Sequence, residues 1–200
     1  MKKINNNFNL PRLSKRGITI IELIIIIALM AVLTATVVLR KRDFDNTTLL
    51  KNTAYELALS VREAQAYGVS VHRDASDIGG RYGMHISLSS PESTVLYADN
   101  NENNVYDPGE NRKINIFKKP FSLKNICVTL TSGAEDCADA NPTILGLEIL
   151  FIRPNPDAHL YVVRVGNVVE AVSKAKVSIG TPENKTVDVN ISNIGQVSVQ

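Results

Sequence analysis

Apolar and polar positions divide this chain into three regimes. The first is a continuous apolar run of 22 residues, Ile18 to Leu39, in which Glu22 is the one charge. As a helix it extends roughly 33 Å, enough to cross a bilayer core. In the second regime Leu50, Ala54, Leu57, Ala58, Val61, Ala64 and Gly68 recur mostly at intervals of three and four, while Lys51, Glu56, Arg62 and Glu63 fall off that stripe. Such spacing predicts one face of an amphipathic helix. No proline interrupts Ile18 to Tyr67, so a single helix of roughly 75 Å is expected. Asp45 or Asn46 offers a cap for a separate second helix, which leaves a break near residues 43–46 as the alternative.

The third regime opens with a polar loop, Arg73 to Arg81, containing Gly79-Gly80. Short β-prone runs then alternate with turn residues: Tyr82–Ser89, Thr94–Ala98, Lys113–Lys118, Leu123–Leu130, Ile144–Ile152, His159–Val165, Val168–Ile179, Thr186–Ile191 and Gln196–Val199. The fold class that follows is α+β: a long N-terminal helix, membrane-spanning in its first half, packed against an antiparallel β-sheet domain. The expected divisions are 1–17 (leader), 18–39 (membrane helix), 40–70 (amphipathic second half) and 71–200 (external β-rich head).

Charge refines this picture. The net charge is +2, yet Lys2, Lys3, Arg12, Lys15 and Arg16 supply five positive charges before the apolar run with no acid among them, leaving −3 without them. The basic balance belongs to the leader and gives no support for nucleic-acid binding by the rest of the chain. Those five outweigh Arg40, Lys41 and Arg42, which Asp43 and Asp45 offset, so the leader is placed in the cytoplasm and the head outside it. Cys127 and Cys137 are the two cysteines. In a domain outside the cytoplasm they read as a disulfide closing a small loop.

Glu22 is the anomaly in the apolar run. A carboxylate within a spanning segment costs about 2.5–3.5 kcal/mol on insertion scales. At the helix end it is merely tolerated at headgroup level. Otherwise it needs a cation within the membrane, and cleavage between Gly17 and Ile18 would create an α-amine one helical turn away. A basic leader ending in Lys15-Arg16-Gly17, followed by Ile18-Thr19-Ile20-Ile21-Glu22-Leu23 and an apolar run, resembles the type IV prepilin signature shared by pilins and type II secretion pseudopilins. Ile18 stands where the family most often has Phe. The resemblance implies cleavage after Gly17 by prepilin peptidase, N-methylation of Ile18, and a role for Glu22 in placing the subunit in a filament. The implied partners are that peptidase, other pilin or pseudopilin subunits, the inner-membrane assembly platform and membrane lipid. Glu56-Leu-Ala-Leu-Ser-Val-Arg-Glu-Ala-Gln-Ala-Tyr67, Tyr82-Gly83-Met-His-Ile-Ser87 and the segment Thr186–Val199 are similar to the long helix, first strand and closing hairpin of H-type pseudopilins and FimT-like minor pilins.

Among candidate sites, the sharpest pattern is Asp99 to Glu110. Oxygen-bearing side chains stand at Asp99, Asn101, Asn103, Asp107 and Glu110, with the carbonyl of Val105 at the seventh position, an alternation suited to Ca²⁺. Asn104 replaces the usual glycine but tolerates the left-handed conformation. The other reading is a solvated hairpin loop in which Asn and Asp make local turns. His72, His85 and His159 are scattered and make no nucleophile or metal arrangement, so no enzyme is expected. Arg112, Lys113, Lys118, Lys119 and Lys124 would form the basic patch of a DNA-binding pilin or else a solvated strand face. A membrane-tethered calcium-binding, adhesive or DNA-binding domain that never polymerises is the alternative to a filament subunit.

Overall fold

The computed structural model describes residues 17–70 and 80–200, with the backbone alone for 39–45. Leader residues 1–16, His72 and most of the expected Arg73–Arg81 loop lie outside the described residues. The chain divides into two compact units, Met1–Asp45 and Asn46–Gln200.

Helix α1 is assigned over Ile20–Val69 without a break at residues 43–46. Its start has a local cause. Thr19 caps it, its hydroxyl accepting the Glu22 N–H at 3.3 Å and its carbonyl accepting the Leu23 N–H at 3.1 Å. Thr19-x-x-Glu22 has the spacing of a capping box. The stretch long and apolar enough to cross a membrane is Ile20–Val38, 19 residues, none of them buried. Its hydroxyls are satisfied within the helix, Thr34 bonding to Met30 O and Thr36 to Leu33 O, which leaves neither as an unpaired donor.

In the second unit the helical stripe is buried as the spacing predicts: Leu50, Ala54, Leu57, Ala58, Val61 and Ala64 enter the core. Thr53 and Ser60 are buried between them, their hydroxyls returned to the carbonyls of Leu49 and Glu56. Gly68 lets the helix touch the sheet backbone. A Cβ there would lie 2.6 Å from Phe151 Cβ and 2.9 Å from Phe151 O.

The strands are β1 (Arg81–Ser87), β2 (Ser93–Ala98), β3 (Asn111–Ile116), β4 (Ser122–Leu130), β5 (Glu135–Cys137), β6 (Ile144–Ile152), β7 (Ala158–Arg164), β8 (Val168–Gly180), β9 (Thr186–Ser192) and β10 (Val197–Val199). Nine correspond to the runs read from the sequence. All pairings are antiparallel. The apolar side chains alternating inward, among them Met84, Ile86, Leu147, Ile149, Val177 and Val189, form one core with the helical stripe.

Strand β8 is the piece the others share. Residues 168–172 pair with β7, 174–180 with β9, and 172–180 with β4. Because β4 and β9 cover the same stretch, they lie on opposite edges of β8. Asn193 donates its N–H to Ser173 O and accepts the Ala158 N–H, so the end of β9 meets the start of β7. A Gly166-Asn167 turn joins β7 to β8, both residues at positive φ (84° and 58°), the backbone that matches strand twist in a two-residue hairpin.

Strand β5 lies within the expected disulfide-closed loop. Cys127 and Cys137 face each other across the β4–β5 ladder and form the disulfide. Replacing both by serine is expected to lower stability by about 2–3 kcal/mol, the chain-entropy value for a loop of this size. Denaturant unfolding of the two forms measures it.

Candidate functional site

Met84 and Ile86 of β1 face the core, so Gly83 and His85 lie on the opposite face of the sheet. In register beside them stand Tyr97 of β2, opposite Gly83, and Glu148 of β6, opposite His85. His85 Nδ1 lies 2.5 Å from Glu148 Oε1, and the Glu148 side chain is wholly inaccessible to solvent. Tyr97 fits because Gly83 has no side chain: a Cβ there would approach Tyr97 Cζ to 2.6 Å. The loop between β2 and β3 folds over this group and sets Tyr106 on it, with ring centroids 5.0 Å from His85 and 5.6 Å from Tyr97.

Burial pushes the Glu148 carboxyl above its ordinary value of 4.5, an effect the neighbouring His85 partly opposes. Burial, reinforced by Glu148, also raises the Tyr97 hydroxyl well above its usual range. The sign for stability follows from linkage. The folded state holds the Glu148 proton more tightly than the unfolded chain does, so this carboxyl's contribution falls as pH rises from about 4.5 through its folded value. Glu148→Gln keeps an acceptor for His85 and removes the titration. Its unfolding free energy is expected to decline less than that of the native chain between acid and neutral pH, measured by urea unfolding across that range.

The loop Asp99–Glu110 turns its oxygens on itself. Asp99, buried, accepts the Asn103 N–H at Oδ1 (3.1 Å) and, at Oδ2, the Asn104 N–H (3.2 Å) and Arg81 Nε (3.1 Å). Asn101 Oδ1 accepts the Asn103 N–H, and Asn103 Oδ1 accepts the Val105 N–H. Asp107 Oδ2 accepts both Asn101 Nδ2 (2.8 Å) and Asn103 Nδ2 (2.6 Å). Glu110 takes the Asn100 N–H at Oε1 and the Asp107 N–H at Oε2. Asn104 adopts the left-handed conformation, φ 66°, as its identity allows.

These are the bonds of a turn-forming loop. Among the described residues, no group of three His, Cys or acidic ligands with metal spacing includes Asp99, Asp107 or Glu110. Among the described residues, the one group of three with metal-ligand spacing is Cys127, Glu135 and Cys137, whose two sulfurs are already joined.

The basic residues are partly neutralised. Lys113 Nζ meets Glu63 Oε2 at 2.8 Å, and Lys119 Nζ lies 3.8 Å from Glu92 Oε2. His159 is exposed on β7. Gly17, Ile18 and Glu22 lie at the exposed start of the first unit, Glu22 in the first turn of α1, where the helix dipole favours an acid. The His85–Glu148–Tyr97–Tyr106 group is absent from the sequence reading. Its one sequence signal is Glu148 itself, a lone carboxylate inside the apolar run Leu147-Glu148-Ile149-Leu150. Comparison with family models, curated proteins and solved structures returned no match.

Proposed function

We propose that the chain is a minor pilin or pseudopilin subunit of a type II secretion or type IV pilus filament. It is inserted in the inner membrane by its basic leader, cut between Gly17 and Ile18 by prepilin peptidase, and methylated on Ile18. The observation that carries this reading is an apolar segment, Ile18 to Val38, exposed at every residue and bearing a single carboxylate in the first helical turn. A helix so apolar all round requires a covering of lipid or of other apolar helices. A filament of like subunits supplies the second after the membrane has supplied the first.

In that assembly Glu22 pairs with an N-terminal amine of its own chain or of a neighbour. A misplaced subunit leaves the carboxylate uncompensated in an apolar medium, which favours correct axial register. The β-rich unit, Asn46–Gln200, forms the external head.

Intact-mass measurement and N-terminal sequencing of the protein from its native membrane test the proposal. A chain beginning at methylated Ile18 is expected. A chain still beginning at Met1, in cells with an active peptidase, leaves a tethered domain that does not polymerise.

A further inference from the structure

Strand β3 ends the sheet path and pairs only with β2 among the described residues. The Phe117 N–H donates to Glu92 O, and alternation then directs the backbone groups of residues 115 and 113 toward β2. The N–H and C=O groups of Ile114 and Ile116 therefore point to the open edge. Natural sheets protect such an edge with charge, proline, bulges or a covering element. Arg112 and Lys113 and a register shift opposite, between Leu96 and Tyr97, protect the first half of β3, whereas in its second half Ile114 and Ile116 are 54% and 75% exposed.

A groove of about 340 Å³ runs between this edge and α1, with Leu59 and Ser60 on its helical wall. Two polar atoms lining it, Thr94 Oγ1 and Asn115 Nδ2, are buried without a hydrogen-bond partner, and Thr94 is only 1% exposed. An edge lacking a neighbour beside a groove lacking partners calls for backbone-like donors and acceptors together with apolar side chains. Charge completes the description. Arg112 stands at the start of the strand, and Lys118 and Lys119 follow its end, Lys119 3.8 Å from Glu92. The acids lining the groove, Glu56 and Glu63, stand on its helical wall, Glu63 already bound by Lys113.

We propose that β3 receives an extended polypeptide segment of a partner protein, apolar at its centre and acidic at both ends, which adds to the sheet as a further strand. Main-chain bonds to Ile114 and Ile116 provide the affinity, and the flanking charges set which segments are accepted. This site belongs to the head and stands independently of the filament reading.

The test uses the full chain in detergent micelles and follows amide hydrogen exchange. The probe is a synthetic peptide in which valine and threonine alternate between two glutamates at each end. Saturating peptide is expected to slow exchange at Ile114 and Ile116 by about tenfold or more, as new ladder bonds would, while leaving β6 unchanged. N-methylation of alternate peptide amides, or Ile116→Pro in the protein, is expected to abolish the slowing. Proline is tolerated at an outward edge position, so the variant keeps the fold. Three outcomes overturn the proposal: no slowing, equal slowing by the N-methylated peptide, or slowing by a single-stranded oligonucleotide while the peptide is inert.

Discussion

Glu22→Ala is expected to enter the membrane normally yet to fall by more than about tenfold in sheared filament fractions, because the proposed pairing with an N-terminal amine would lose one member of a buried charge pair, at a cost of about 3–5 kcal/mol. Insertion is unaffected because the substitution deletes the one charge of the apolar run. Glu22 also stands at the capping-box position relative to Thr19, whose hydroxyl accepts its N–H, and an acid at that position supports the first turn of a helix. Glu22→Gln separates the two. Glutamine suits the capping box as well as glutamate does but cannot pair with an amine as an anion. Loss of assembly in both variants identifies the charge as the requirement. Assembly of the glutamine variant at native levels would reduce Glu22 to a helix cap, and undiminished recovery of the alanine variant would remove the pairing mechanism altogether.

The largest effect on the head is expected at Phe151. Its side chain is fully buried in β6, and its backbone is pressed against Gly68 of α1. Phe151→Ala should cost about 3–5 kcal/mol, the lost transfer energy plus a cavity that the helix is poorly placed to fill. Helix and sheet are held apart by Phe151 Cβ and Phe151 O, atoms that alanine retains. For the same reason Gly68→Ala should destabilise the native chain and should not be rescued in the Phe151→Ala background. Equilibrium unfolding of the two single variants and the double variant decides this. Rescue would show that the ring, not the backbone, sets the helix–sheet distance.

Sequence legibility followed how far each signal reaches along the chain. The stripe from Leu50 to Gly68 repeats for five turns, and every position read as apolar is buried. Nine strands were marked by β-branched runs with turn residues between them. Strand β5 was not, because Glu135-Asp136-Cys137 is three residues long and largely polar and owes its place to the ladder with β4 and to the disulfide. The loop at residues 99–110 showed its alternating oxygens, whose partners are mostly within the loop, but not Arg81, which the fold brings beside Asp99. Glu148 was hidden in a run whose neighbours spoke for a buried strand. Its partner His85 lies 63 positions earlier and meets it only through the β1–β6 register.

One consequence of the shared strand concerns cooperativity. The 13 residues of β8 hold β7, β9 and β4 at once, so neither branch of the sheet can detach while keeping its own ladder intact. Opening β8 forfeits the hydrogen bonds of three neighbours together. The head should therefore melt in a single transition, with the disulfide hairpin and the closing β9–β10 hairpin lost together. A unit tied together in this way has no stable half-open state.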